Sequence, residues 1–140
     1  MNDEIKMLMG FVIEDSPRIL ISGCENKNLL EAMKPHGTVE CTSVDCENKE
    51  NCVPLNPEMP FLPLDRFNVW IVNMDSIRMS EGFVFHLASN TLKKMGILAI
   101  IGGEVDDNIA RGYGFQVLYH GAWHYYLKAS EGKGNIMDIM

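Results

Sequence analysis

Three short, almost wholly apolar runs constrain the fold of this chain most: Arg18 to Ser22 (RILIS), Phe67 to Val72 (FNVWIV) and Ile97 to Ile101 (ILAII). None approaches the roughly 18 residues that cross a bilayer. Each is too apolar to leave one face in water, so each reads as a strand buried on both faces of a sheet. Helical periodicity fills the spaces between them. Ile5, Leu8, Met9 and Val12 form one stripe within residues 1–17, ended by Asp15-Ser16-Pro17. Residues 28–34 carry Leu29, Leu30 and Met33 on one face, with Asn26 or Asn28 as cap and Pro35-His36-Gly37 as stop. Val84, Leu87, Ala88, Thr91 and Leu92 recur at helical spacing behind a Ser80 cap, with Lys93 and Lys94 expected at the helix's C-terminal end.

The remaining segments complete the order. Thr38 to Val44 alternates as a strand and ends on Asp45. Residues 46–66 hold four of the six prolines and read as a long irregular stretch. A short helix is predicted over 104–111. Strands at 115–119 and 122–129 are joined by a His120-Gly121 turn, with Trp123, Tyr125 and Leu127 sharing a core face and His124 opposite them. Alternating strands and helices with apolar strands define a three-layer, doubly wound, mostly parallel α/β sheet with a C-terminal antiparallel hairpin. At 140 residues the chain fits one domain, 1–140.

Composition removes several partners. Twelve basic against nineteen acidic residues give a net charge of −7, which argues against nucleic acid or an anionic membrane held by charge. Asn2-Asp3-Glu4 provides no basic segment, so no signal peptide is expected, and the chain is placed in the cytoplasm. Cys24, Cys41, Cys46 and Cys52 contain no CxxC pair in a chain able to build its own core. Reduced thiols and no metal are therefore expected. Cys41, Cys46 and Cys52 offer three thiolates to zinc, and a fourth ligand would have to come from a distant His or from Cys24. His86 reads as a structural histidine between Phe85 and Leu87, and His120 as a turn residue.

Ligands of open α/β sheets bind at the carboxyl ends of the strands. Here those ends are Ser22-Gly23-Cys24, Asp45, Asn73-Met74-Asp75 and Gly102-Gly103. PRILISGCENKNLLEAM followed by VECTSVD resembles the first two strands of class I S-adenosylmethionine-dependent methyltransferases. MPFLPLDRFNVWIVN, ASNTLKKMGILAIIG and GFQVLYHGAWHYYLKAS resemble that family's fourth strand, fifth strand and closing hairpin. The likeness runs from about residue 5 to 130 and rests on order and spacing more than on any one motif. It implies a methyltransferase-like Rossmann fold and S-adenosylmethionine held by Gly23, Cys24, Asp45 and Asn73, with Asp45 on the ribose hydroxyls.

The departures point elsewhere. Glu25 and Lys27 stand where the family carries glycine, and Ile21 where it carries an acidic residue. These side chains are expected to narrow the crevice for the cofactor's methionine end. Asn73-Met74-Asp75-Ser76 lacks the prolines and aromatic of amine methyltransferases. The reading is a methyltransferase-fold scaffold or partner subunit with an eroded site, its partner another protein or a second copy. The alternatives are an active methyltransferase, catalysing mainly by positioning, and a receiver-like signalling domain. FNVWIVNMDSIRMSEGFVF and GAWHYYLKAS resemble the last of these, although its strand would end in Asn73 instead of a phosphoacceptor aspartate.

Overall fold

A computed structural model describes residues 2–47, 50–56, 58 and 60–129. Helix α1 spans Asn2–Phe11, strand β1 Arg18–Ile21, and helix α2 Lys27–Met33, which runs into a short 3-10 turn at Lys34–His36. Strands β2 (Thr38–Ser43), β3 (Cys52–Pro54) and β4 (Phe67–Asn73) follow, then α3 (Glu81–Thr91) and β5 (Leu92–Ile101). Helix α4 (Asp107–Gly112) and strands β6 (Phe115–His120) and β7 (Trp123–Lys128) close the order.

The strands form one seven-stranded sheet in the order β3-β2-β1-β4-β5-β7-β6. β1 to β5 are parallel, and β7 lies antiparallel between β5 and β6. That order is not the 2-1-3-4-5 of flavodoxin-like sheets, so the receiver-like reading is set aside.

The period of two along each strand builds two cores. Ile19, Ile21, Val69, Ile71, Ile97, Ala99, Trp123 and Tyr125 face α1 and α2, packing with Ile5, Leu8, Leu29 and Met33. Leu20, Trp70, Val72, Leu98, Ile100 and Tyr126 face the other way, against Val84, Phe85 and Ala88 of α3 and Ala110 of α4. Trp123 and Tyr125 thus share a core face, with Leu127 partly buried beside them, as their alternation predicts.

Local details depart from the sequence expectation in two places. Helix α3 ends at Thr91, so Lys93 and Lys94 do not cap it. They lie exposed in a bulge of β5, where pairing jumps from Phe67↔Leu92 to Val69↔Ile97 and Met95 takes φ +69°. The hairpin turn is Gly121-Ala122, and His120 is the last residue of β6. The long stretch after β2 carries no helix among its described residues. Leu55 and Leu62 are buried from it, and its end is strapped to α3 by Asp65 N–H on Asn90 O, Arg66 N–H on Thr91 O and Thr91 Oγ1 on Pro63 O.

Candidate functional site

The strand order reverses between β1 and β4, and a crevice outside the carboxyl ends of β1, β2 and β4 is the expected ligand position. A cleft of about 250 Å³ lies there, lined by Ser22, Gly23, Glu25, Thr42, Ser76 and Arg78 among others. Hydrogen bonds fix its floor. Ser22 N–H donates to Ile71 O at 2.9 Å, and Ser22 Oγ accepts from Asn73 N–H at 2.9 Å. Gly23 N–H donates to Thr42 Oγ1 at 3.1 Å, and Cys24 N–H to Thr42 O at 3.0 Å.

Gly23 holds φ +90°, a conformation in which an L side chain is strained. Space is short there as well: a β-carbon on Gly23 would stand 2.5 Å from Glu25 Oε1. The Glu25 carboxylate therefore folds back over the glycine. Lys27, by contrast, is the first residue of α2 and lines a different surface hollow with Cys41 and Lys34. The expectation that Lys27 and Ile21 also narrow the crevice is corrected: helix α2 carries the Lys27 side chain to the other side, and Ile21 is fully buried in the core beneath α1 and α2.

Only Gly23 of the four expected cofactor residues lines the cleft. Asp45 is exposed, and its Oδ1 accepts from Glu47 N–H at 2.9 Å, closing an Asx turn. Asn73 organises the chain after β4: its Oδ1 accepts from Asp75 N–H at 3.0 Å, and its carbonyl accepts from Ser76 and Ile77 N–H at 3.1 Å each. Cys24 turns toward the cysteines. The expectation of reduced thiols is corrected here, because Cys24 is disulfide-bonded to Cys41 and Cys46 to Cys52, leaving no free cysteine. Sequence spacing hid this. The pairs are 17 and 6 residues apart, and the parallel pairing of β1, β2 and β3 brings them together.

A polar cluster that the sequence did not reveal sits at the same end of the sheet, on β6 and β7. His120 Nδ1 lies 2.7 Å from His124 Nδ1, and His120 Nε2 lies 3.0 Å from Asp107 Oδ2. Tyr126 O–H donates to Asp107 Oδ1 at 2.9 Å. Only one proton can lie between the two Nδ1 atoms, so the cluster resists charging both imidazoles. Accordingly His124 is held below the usual histidine range, first by burial and then by His120. The His120 hydrogen bond holds Asp107 below the usual carboxylate range. Tyr126 is pushed up by burial and by its bond to Asp107. Two histidines four apart, flanking the glycine of a tight hairpin, are the sequence signal for this pair, and the β6–β7 register sets them opposite each other. His86 is exposed on α3, edge-on to Tyr113, rather than built into the core.

No family model matches the chain, and no curated protein matches it. Solved structures do. A SAM dependent methyltransferase from Aquifex aeolicus superposes with TM-score 0.58 at 16% identity, covering 89% of this chain and 87% of that one. A protein described as a type 11 methyltransferase from Sulfolobus solfataricus gives TM-score 0.57 at 16% identity, covering 89% of both. Geranyl diphosphate C-methyltransferase from Streptomyces coelicolor, solved with S-adenosyl-L-homocysteine, gives 0.52 at 13% identity over 71% of this chain. The chain spans 45–60% of the length of that enzyme and of two other matched structures. This chain has the fold of class I S-adenosylmethionine-dependent methyltransferases.

Proposed function

We propose that this chain is a methyltransferase-fold protein whose S-adenosylmethionine crevice is closed at the methionine end, and that it serves as a non-catalytic scaffold or partner subunit. The observation that carries the reading is the Glu25 carboxylate folded over Gly23, where the fold brings backbone close to its ligand. A cleft of about 250 Å³ is also smaller than the roughly 300–1,000 Å³ of ordinary ligand pockets. Asp45 is exposed outside the lining of the cleft, and its Oδ1 accepts from Glu47 N–H at 2.9 Å.

Calorimetric titration with S-adenosylmethionine and S-adenosylhomocysteine tests the reading. Wild type should give no heat at millimolar ligand. The Glu25→Gly variant should gain measurable binding as the crevice opens. Tight binding by wild type would overturn the scaffold reading and make the chain an active methyltransferase with a different cofactor grip. In that case Asp45→Ala would weaken binding by roughly 1.5–3 kcal/mol if the turn opens and its carboxylate takes the ribose hydroxyls.

A further inference from the structure

We infer that Cys24, Cys41, Cys46 and Cys52 form a four-thiolate site for one structural zinc ion when the chain is reduced. Cys24, Cys41 and Cys52 reach one spot from different parts of the sheet, and Cys46 joins them through its bond to Cys52. Cys41 and Cys52 stand opposite each other in the β2–β3 register. Cys24 follows the β1 loop, tied down through its N–H to Thr42 O, and Cys46 follows β2 and is bonded to Cys52.

The sulfurs of Cys24, Cys41 and Cys52 all lie within 4.8 Å of one another. The non-bonded separation between Cys24 and Cys52 is 3.7 Å. Four thiolates around a tetrahedral zinc, with Zn–S of about 2.3 Å, stand about 3.8 Å apart along each edge. Sulfurs this close fit a single ion; a larger cluster would hold them farther apart. Soft thiolates in a closed tetrahedral set select zinc over oxygen-loving cations.

The surroundings suit a structural role. β3 is three residues long, and the connection from β2 spans only residues 44–51, where parallel strands usually take a dozen or more residues and a helix. A metal clip would tie this short edge strand down in addition to the packing of Val53 and Leu55 in the core. None of the four cysteines lines the cleft at β1, so this site and the proposed closed crevice stand or fall separately.

Disulfides and zinc are exclusive uses of the same sulfurs. A dithiol reductant supplies two electrons and two protons to each of the two disulfides and is itself oxidised to a disulfide. The resulting four thiols lose four protons as the zinc–sulfur bonds form.

The test uses the whole chain, prepared anaerobically with a dithiol reductant and zinc and then freed of excess metal. We expect one zinc per chain by elemental analysis, and four reactive thiols once the metal-loaded protein is denatured with chelator. Cobalt(II) in place of zinc should show thiolate-to-metal charge transfer and the intense red absorption of a tetrahedral sulfur site. Each of Cys24→Ser, Cys41→Ser, Cys46→Ser and Cys52→Ser should weaken zinc by more than the roughly 10–100-fold that loss of an outer-shell partner costs. Where a variant fails to fold, the wild-type cobalt spectrum decides. Folded, reduced protein without metal, a cobalt spectrum without sulfur charge transfer, iron in preference to zinc, or a folded serine variant with undiminished zinc affinity would each overturn the assignment.

Discussion

Two features lower the pKa of His124 in the folded chain: it is partly buried, and its Nδ1 faces His120 Nδ1 at 2.7 Å. Its folded pKa lies below the unfolded value of about 6.5. The unfolded chain therefore binds more protons in that window, and the stability His124 contributes is complete above about pH 6.5 and lost as pH falls through the folded value. Melting temperature should decline between pH 7.5 and pH 5.5, and His124→Gln should flatten that slope. A slope unchanged in the variant would assign it elsewhere. Asp107, lowered chiefly by its His120 hydrogen bond, acts in the same direction at lower pH. Its contribution is present above about 4 and is lost as pH falls through its depressed folded value.

At the level of elements, capping and bulges place the ends that matter. Asp106 caps α4 by accepting Asn108 N–H at 2.9 Å, and it receives the Glu81 carboxylate on its own N–H. α4 in turn carries Asp107 to His120. Asp106→Ala should cost about 1 kcal/mol in urea unfolding. It should also weaken the pH dependence described above, because the Asp107 end of the cluster loses its anchor. Ser80 caps α3 through Phe83 N–H at 3.3 Å, as its position before the apolar stripe predicts. The end of α3 was less legible. Lys93 and Lys94 look like a helix C-terminus by charge, but Leu92 already pairs with Phe67 in the sheet, and that pairing takes precedence over the dipole preference.

Across the molecule, stability rests on two cores separated by the sheet. Phe85 is fully buried in the α3-side core, edge-on to Tyr126 at 5.1 Å and to Phe115 at 5.6 Å. Phe85→Ala should destabilise by about 3–5 kcal/mol in chemical denaturation, since the rigid sheet cannot collapse into the space. A loss below about 1 kcal/mol would show that the hairpin repacks around it.

The apolar runs at Ile19–Ile21, Val69–Val72 and Ile97–Ile100 determined by themselves a covered parallel sheet, because alternation and apolarity are local properties of neighbouring residues. The closing hairpin was legible for the same reason. Of the residues expected at the site, only Gly23 lines the cleft. Whether Asp45 reaches a ligand or closes a turn depends on its neighbour Glu47, and whether Glu25 leaves or covers the glycine depends on how the β1 loop folds back. The pairing of His120 with Asp107 and the meeting of Cys24, Cys41 and Cys52 were decided by tertiary structure alone. These contacts join residues far apart in the chain, and only the strand order β3-β2-β1-β4-β5-β7-β6 brings them within bonding distance.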